Sequence, residues 1–399
     1  RMSNDDPHWK SATRLIRDGD HADARYGAIV PPIYQNSTFA FESWEAIDHA
    51  FDDRRGTPVY SRQLNPTVMA LETQLATLGS CDKARVFASG MAAISAAVLH
   101  CIAAGDHIIT IRNVYGPAAT LLGSYLPQKL GCTTTFVGGD DLDEIAGSFR
   151  ENTRLVYLES PSSAKFGLQD IAAVAALARD YGARVVCDNT WATPLYQNTL
   201  ALGADLEIHS LSKYLGGHSD IVAGAILGRS EDIDSIAITE GELLGARTAA
   251  FDAWLMLRSL RTLPPRMALH QSNGLAIAAY LESHPKVARV FHPGLKSHPQ
   301  HELARRSFTG YSSLFGFTLH TQNVTEVRRF FDATRLFQRA VSWGGHESLL
   351  YAPAISYVKE QPPERLAEMG IKTGDMRVSV GLEHIDDLIS DLEQALAKI

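Results

Sequence analysis

The stretch His209-Ser210-Leu211-Ser212-Lys213-Tyr214-Leu215-Gly216-Gly217-His218 predicts both the fold and the chemistry of this chain. A short apolar run, Leu206–Ile208, leads into it, two serines precede the lysine and a glycine pair follows. A lysine at the end of a buried strand is suited to forming an imine, because desolvation lowers the pKa of its amine. The alternative is a surface lysine in a polar turn, and the rest of the chain must decide between them.

Composition restricts the class of protein. The 399 residues allow two to three domains, and 45% hydrophobic with 21% charged residues is an ordinary globular balance. A net charge of -8 without a long basic run argues against a nucleic-acid partner. The four cysteines form no CxxC pair, which fits a reducing compartment. With no evident signal peptide and no apolar run long enough for a bilayer, we expect a soluble, cytoplasmic protein without a membrane partner.

Residues 1–62 are predicted to form an arm. The segment Ile29–Ile33 contains two prolines that favour an extended chain, and few amphipathic repeats follow before Ser43–Asp53. An arm that cannot bury itself usually lies on another surface, so we expect it to contact a neighbouring subunit.

From residue 63 onward, strands alternate with helices. Helical spacing predicts helices over Thr67–Leu78, Ala92–Ala103, Pro117–Leu130 and Asp170–Tyr181. The predicted strands are Ala84–Ala88, His107–Ile111, Thr133–Val137, Arg154–Leu158, Arg184–Cys187, Leu206–His209 and Ala223–Leu227. Such alternation is typical of an α/β domain with a mostly parallel sheet that is covered on both faces.

Polar side chains follow these strands. In parallel sheets, sites gather at the carboxyl ends of the strands. The residues at or just after such ends are Ser89, Tyr115, Glu159, Asp188 and Lys213. Each alone is weak evidence, but together they predict one site.

A predicted helix over Phe251–Leu263 is followed by Pro264-Pro265, which we interpret as a boundary. Beyond it, the strands Leu314–His320 and Met376–Val380 and the helices Val324–Asp332 and Ile385–Ile399 predict a smaller α+β unit. The predicted organisation is an arm over 1–62, a large α/β domain over 63–263 and a smaller C-terminal domain over 264–399.

Asp188 and Lys213 together indicate pyridoxal phosphate chemistry. A carboxylate keeps a pyridine nitrogen protonated, and a lysine amine forms the imine that such a cofactor requires. The cofactor phosphate needs donors. Candidates are the N–H groups of Gly90 and Met91, the hydroxyls of Ser210 and Ser212, and the cationic Arg62. Tyr115 could stack on the ring.

These motifs carry a family resemblance. Tyr60-Ser61-Arg62, Ser89-Gly90-Met91, Tyr115-Gly116, Asp188-Asn189-Thr190, Ser210-Leu211-Ser212-Lys213 and Met376–Gly381 resemble, in order and spacing, the Cys/Met-metabolism (transsulfuration) family of pyridoxal phosphate enzymes. The resemblance covers nearly the whole chain. It implies the type I fold of these enzymes, which is that of aspartate aminotransferase.

The resemblance also implies roles for single residues. Lys213 binds the cofactor covalently and moves protons, Asp188 pairs with the pyridine nitrogen, and Tyr115 stacks on the ring. Ser89, Gly90, Met91, Ser210 and Ser212 hold the phosphate. Tyr60 and Arg62 reach the phosphate of the neighbouring subunit, which implies a homotetramer built from dimers with shared active sites. Arg377 binds the substrate α-carboxylate, which its planar fork suits.

Substrate preference depends on a second segment. Ser342 and Trp343, followed by two glycines, resemble the Ser-Trp-Gly-Gly segment of bacterial β-lyases in the family, and Ser163 fits the same group. Val341 stands where cystathionine γ-lyases often carry an acidic residue. The resemblance implies α,β-elimination of L-cystathionine to homocysteine, pyruvate and ammonia, with cysteine desulfhydrase activity as a variant. His346 departs from the aromatic residue expected at its position.

Three alternatives remain open. A γ-acting family member (a cystathionine or methionine γ-lyase, or a γ-synthase) would keep the cofactor and break a different bond. Ser210 and Lys213, with Lys372-Thr373-Gly374, match two of three motifs of penicillin-recognising serine hydrolases. His298 and His301 have helical spacing, but they lack further ligands, so we expect two solvated histidines and no metal.

Overall fold

The computed structural model describes residues 9–17, 26–360 and 363–399. Its main sheet contains all seven strands predicted from the first half of the chain. The strands are β1 Lys83–Phe87, β2 His107–Ile111, β3 Thr133–Val137, β4 Thr153–Glu159, β5 Arg184–Asp188, β6 Leu206–Ser210 and β7 Gly224–Gly228. Their order is β1-β7-β6-β5-β4-β2-β3, and β7 alone runs antiparallel to its neighbours. The expected mostly parallel sheet is confirmed.

Helices cover both faces of this sheet. The helices of this part of the chain are α1 Ser11–Arg17, α2 Trp44–Asp52, α3 Pro66–Gly79, α4 Gly90–Cys101, α5 Gly116–Thr120, α6 Leu126–Leu130, α7 Leu142–Gly147, α8 Ile171–Asp180, α9 Thr193–Tyr196, α10 Ser230–Ile238, α11 Glu240–Leu244 and α12 Ala250–Leu260. One core joins α3 and α12 to the sheet, and a second core joins α4 and α8 to it. Because β2 and β7 are buried along their whole length, these strands are apolar without alternation.

The helix predicted over Pro117–Leu130 forms with a local change of winding. A π-helical turn, Leu121–Tyr125, lies between α5 and α6. Pro127 has no N–H to donate to the carbonyl of Gly123, so regular α-helical bonding cannot continue through this turn.

Pro264 and Pro265 mark the start of a helix that the sequence analysis did not predict. Helix α13, Leu263–Ser283, has both prolines in its first turn, where their missing N–H groups have no intrahelical acceptor. Leu263 of α13 packs in the core beneath the main sheet, whereas Leu281 packs in the C-terminal core. The division into domains at residue 263 therefore stays a prediction.

A second, five-stranded sheet forms the C-terminal part. Its strands are β8 Val287–Phe291, β9 Leu314–Leu319, β10 Gln338–Arg339, β11 Leu349–Tyr351 and β12 Asp375–Ser379, in the order β10-β11-β12-β9-β8. Its helices are α14 His301–Ser307, α15 Val324–Ala333, α16 Tyr357–Glu360, α17 Pro363–Met369 and α18 Ile385–Leu396. Only β9, β12, α15 and α18 were predicted here. The elements β10, β11 and α16 carry too few residues to show a period, and β8, α14 and α17 were also not predicted.

The N-terminal region packs only in part on its own chain. In α1, Leu15 is buried, and its carbonyl accepts a hydrogen bond of 2.5 Å from Gln74 Nε2 of α3. In α2, Ala50 is buried while Trp44 is 79% exposed. Residues 1–8 and 18–25 of the expected arm lie outside the described residues.

Within the described residues, no helix combines the length and apolar character that a membrane span requires.

Candidate active site

Lys213 lies just after the carboxyl end of β6, as predicted. Its Nζ donates a hydrogen bond of 2.5 Å to Ser342 Oγ and lies 5.7 Å from the centre of the Trp343 ring. Burial, together with the nearby Arg377, lowers the pKa of the Lys213 amine to about 8, against the opposing effect of Asp188. About a tenth of the amine is therefore uncharged at pH 7, far more than for an ordinary lysine, and nucleophilic attack requires this form. The surface-lysine alternative is wrong.

Asp188 ends β5, beside β6. Its Oδ1 accepts two hydrogen bonds, from Thr190 N at 3.0 Å and from Thr190 Oγ1 at 2.5 Å. Burial raises the pKa of Asp188, while the Thr190 bonds and the nearby His209 oppose that rise. His209 in turn contacts Glu207, with 2.6 Å between Nε2 and Oε1. These contacts fix the carboxyl group at the strand end.

Tyr115 follows β2 and begins α5. Its backbone N–H donates a hydrogen bond of 2.8 Å to Glu159 Oε2 at the end of β4. Glu159 Oε1 forms a second hydrogen bond with Ser163 Oγ. Burial raises the pKa of the Tyr115 hydroxyl, and the nearby Glu159 and Asp188 raise it further. The ring is 44% exposed, so a ligand can reach it.

The N-terminus of α4 lies directly against the lysine-bearing segment. Ser89 is the N-cap, and its Oγ accepts a hydrogen bond of 3.0 Å from Ala92 N. A Cβ at Gly90 would lie 3.0 Å from Ser210 Cβ and 3.1 Å from its Oγ. Glycine therefore allows the start of α4 to pack this closely on Ser210. The free N–H groups of Gly90 and Met91 make this helix start suited to a phosphate.

The two serines before Lys213 have different partners. Ser210 N donates to Thr190 Oγ1 at 2.9 Å, which ties β6 to the residue that binds Asp188. Ser212 Oγ accepts a hydrogen bond of 3.1 Å from Ala223 N. Ser210 contacts the start of α4, and Ser212 holds the lysine turn against β7. Their phosphate-binding role stays a prediction.

The segment 342–345 packs against the lysine turn in an unusual backbone conformation. Ser342 has a φ of 76° and Gly344 a φ of 82°, both in the left-handed region. A Cβ at Gly344 would lie 2.6 Å from Tyr214 N. The Trp343 ring lies 5.4 Å from the Tyr214 ring, centre to centre. Glycine at 344 is therefore needed to bring Ser342 and Trp343 to the amine.

Arg377 lies on β12 and faces the same place. Its Nη2 donates a hydrogen bond of 3.3 Å to Ser342 O, and its Cζ lies 4.9 Å from the centre of the Tyr351 ring. Burial lowers the pKa of its guanidinium. With one backbone acceptor and an aromatic face, the guanidinium retains N–H donors for a carboxylate.

Tyr60 and Arg62 are exposed, and the Arg62 Cζ lies 5.5 Å from the centre of the Tyr60 ring. The described hydrogen bonds join this segment to Ser37 through Ser61 N, at 2.9 Å, rather than to Lys213 or Ser89. Their expected role in the neighbouring subunit stays a prediction.

The two histidines that were expected to be solvated lie outside the site. His298 is buried, and its Nε2 lies 3.1 Å from Phe166 O, so the expectation of a solvated histidine was wrong for it. His301 bonds Pro293 O at 3.1 Å. Among the described residues, no group of three or more His, Cys, Asp or Glu side chains could hold a metal ion.

The sequence analysis placed Glu159 and Thr190 near the site but gave them no role. The structure makes Thr190 the hydrogen-bond donor to Asp188, and it makes Glu159 the link between Tyr115 and Ser163. A hydroxyl two residues after an aspartate is the signal that could have identified Thr190.

These residues fit pyridoxal phosphate. The start of α4 beside Ser210 offers N–H donors to an anion, Lys213 supplies an amine of lowered pKa, and Asp188 supplies a partly buried carboxyl. Tyr115 offers an accessible aromatic face.

Comparison with known proteins gives the same result. Residues 12–397 match the family model "Cys/Met metabolism PLP-dependent enzyme". The chain belongs to the Cys/Met metabolism family of PLP-dependent enzymes. It is 38% identical to a cystathionine beta-lyase of Lactococcus lactis (97% of this chain, 98% of the relative). It is 37% identical to a cystathionine gamma-lyase of Dictyostelium discoideum (98% of each) and 38% identical to an L-methionine gamma-lyase of Pseudomonas putida (96% of each).

Among solved structures, metB from Corynebacterium glutamicum matches with a TM-score of 0.91 and 34% identity, over 98% of this chain and 99% of the other. The fold is therefore the type I fold of PLP-dependent enzymes, and the cofactor is pyridoxal phosphate. Family members act as lyases on small sulfur amino acids, and membership removes the serine hydrolase alternative. The relatives divide between β- and γ-lyases.

Proposed function

We propose that this enzyme catalyses α,β-elimination of L-cystathionine to homocysteine, pyruvate and ammonia. The observation that supports it is the position of Trp343, 5.7 Å from the Lys213 amine and held there by the left-handed Ser342 and Gly344. This segment resembles that of bacterial β-lyases. Val341 beside it is apolar and 67% exposed. It leaves no acidic group at the position where cystathionine γ-lyases often carry one.

The side chains divide the chemistry among them. Pyridoxal phosphate, when bound, supplies a ring that withdraws electrons from the substrate Cα. Asp188 would hold the ring nitrogen protonated, and the start of α4 with Ser210 and Ser212 would hold the phosphate. Arg377 would bind the substrate α-carboxylate.

Proton transfer falls to Lys213. Its amine, uncharged in part because of its lowered pKa, removes the proton from Cα. The Cβ–S bond then breaks, and Lys213 or the Tyr115 hydroxyl protonates the departing sulfur. A thiol, with an ordinary pKa of about 8.5, needs only modest acid assistance to leave. The remaining three-carbon fragment is hydrolysed to pyruvate and ammonia.

The first experiment is an absorption spectrum of the purified protein, followed by addition of L-cystathionine. A yellow protein that forms pyruvate and homocysteine is the expected result. Formation of 2-oxobutyrate instead would establish the γ-lyase alternative, which the gamma-lyase relatives support. L-Cysteine, tested in parallel, measures desulfhydrase activity.

We also propose that the active unit is a dimer within a homotetramer, with Tyr60 and Arg62 reaching the phosphate of the neighbouring subunit. Both side chains are exposed, and large apolar side chains of the same region are exposed too, notably Ile29, Trp44 and Phe51. Burial of such a surface against a second subunit would remove apolar area from water. A cytoplasmic location stays a prediction, and the four cysteines are free, as it requires.

A further inference from the structure

Two carboxyl groups stand side by side at the ends of neighbouring strands. Glu159 ends β4, Asp188 ends β5, and the two residues are paired in register across the parallel ladder. Glu159 is 7% exposed and Asp188 is partly buried. Two carboxylates on paired residues of adjacent strands repel each other strongly where little water screens their charges. The pair is therefore expected to hold one proton.

The hydrogen bonds show which group is ionised. Thr190 Oγ1 accepts the N–H of Ser210, so its own hydrogen points to Asp188 Oδ1. Thr190 N donates to the same oxygen. An oxygen that accepts two such bonds carries no proton, and charged acceptors gain the most from them. A proton on Asp188 could then lie only on Oδ2, and the two donated bonds favour the carboxylate form of Asp188.

Glu159 has a different set of partners. Its Oε2 accepts the N–H of Tyr115, and its Oε1 lies in hydrogen-bond contact with Ser163 Oγ. A hydroxyl group can either donate or accept, so Ser163 can receive a proton from a neutral Glu159. Ser163 N donates to Asn113 O at 3.1 Å.

We propose that Glu159 is a protonated positioning residue that holds Tyr115 and Ser163 in place at the cofactor site. Its neutral carboxyl accepts from the Tyr115 backbone and donates to Ser163, while Asp188 keeps the negative charge. The proposal relies on the assigned positions of Tyr115 and Ser163 at the cofactor, and it is independent of whether the enzyme breaks a β or a γ bond.

The other charged and titratable groups around the pair are consistent with one shared proton. Burial, first, and the neighbouring Asp188, second, raise the pKa of Glu159, while the hydrogen bonds from Ser163 and Tyr115 oppose that rise. Several ionisable groups interact electrostatically with one or both carboxyls. They are Tyr115, Tyr157, Cys187, Lys213, Glu207, His209 and Arg377. Of these, His209 favours the charged form of Asp188, whereas Glu207 disfavours it.

The first test uses Glu159→Gln and Glu159→Ala with a cofactor titration. Glutamine copies a neutral glutamic acid, since its oxygen can accept from Tyr115 N and its amide can donate to Ser163. We expect the Kd of Glu159→Gln for pyridoxal phosphate to stay within about threefold of wild type, and that of Glu159→Ala to rise about tenfold or more. Equal weakening in both variants would overturn the proposal.

The second test reads the proton directly in the cofactor-free protein. Infrared spectroscopy detects the carbonyl stretch of a protonated carboxyl group. Glu72 is a half-buried glutamate whose pKa burial also raises, so Glu72→Gln serves as the matched control that assigns its band. Glu159→Gln should remove a separate band, and Asp188→Asn should not. A band that survives Glu159→Gln but disappears in Asp188→Asn would place the proton on Asp188 and contradict us.

Discussion

Arg377 shows how a single residue is prepared for a carboxylate. Its guanidinium packs on the Tyr351 ring and donates to Ser342 O, which leaves further N–H groups unassigned. Arg377→Ala should raise KM for L-cystathionine about 10- to 100-fold, the cost of losing charge-assisted hydrogen bonds. Steady-state kinetics measures this.

Arg377→Lys is the matched control for that variant, because it keeps the charge but loses the bidentate fork, and it should fall between wild type and alanine. Cofactor absorbance should be retained in both variants. An unchanged KM in Arg377→Ala would remove Arg377 from the carboxylate role.

Trp343 is the residue on which reaction specificity is expected to depend. Its ring lies close to the Lys213 amine and packs on Tyr214. Trp343→Leu, which removes the aromatic ring near the Lys213 amine, should lower the ratio of pyruvate to 2-oxobutyrate formed from L-cystathionine. Combination with Val341→Glu should lower it further. A ratio that stays constant in both variants would show that specificity is set elsewhere in the cleft.

At the scale of elements, the turn 342–345 depends on a glycine for its contact with the lysine segment. Gly344→Ala would place a Cβ 2.6 Å from Tyr214 N at a φ of 82°. We expect a loss of about 2 to 4 kcal/mol in the free energy of unfolding, from backbone strain and the displaced turn. Urea unfolding measures it.

Gly370→Ala provides the control for this turn. Gly370 has a φ of 65°, but a Cβ there meets no atom within 4 Å. It should therefore cost only the backbone term, about 1 kcal/mol. If both variants lost the same stability, the close approach of the turn to Tyr214 would have no energetic weight.

The paired ends of β4 and β5 give a dependence of stability on pH. Burial raises the pKa of Glu159 in the folded protein, so folding takes up a proton there. Its contribution to stability is fully present below the unfolded pKa of about 4.3 and is lost as the pH rises through the folded pKa.

The free energy of unfolding of the cofactor-free protein, measured from the unfolded pKa of about 4.3 to the folded pKa of about 8, tests that contribution. The difference in unfolding free energy between Glu159→Gln and wild type should increase in favour of the variant as the pH rises. A constant difference would indicate that Glu159 ionises normally.

At the scale of the whole molecule, shared active sites allow complementation between subunits. Lys213→Ala should abolish turnover, and Arg62→Ala should weaken phosphate binding strongly if Arg62 serves the neighbouring site. A mixture of the two variants, unfolded and refolded together, should regain about a quarter of wild-type activity, since random pairing makes half the dimers mixed and each has one complete site.

The two variants, mixed without unfolding and refolding, are the control for spontaneous exchange of subunits. No recovery after refolding, with the oligomer intact by sedimentation, would place Arg62 at the site of its own subunit.

Sequence periodicity predicted the main sheet because its strands are apolar and lie between long helices. The C-terminal sheet was predicted only in part, since β10 and β11 have two and three residues. The site residues at strand ends were identified by position and by family motifs. The bond from Tyr115 N to Glu159 was not, because a hydrogen bond across 44 residues leaves no local pattern, whereas the Thr190 bond to Asp188 is local and was overlooked.

Helix α13 has one end in the core beneath the main sheet and the other in the C-terminal core. Helix α13 has 21 residues and packs in both cores. We therefore expect local unfolding at one end of the helix to destabilise the packing at the other. Its amide hydrogens should therefore exchange with solvent as one cooperative unit. The sheet that carries Lys213 and the sheet that carries Arg377 would then gain and lose their order together, and both halves of the binding cleft would share a single melting event.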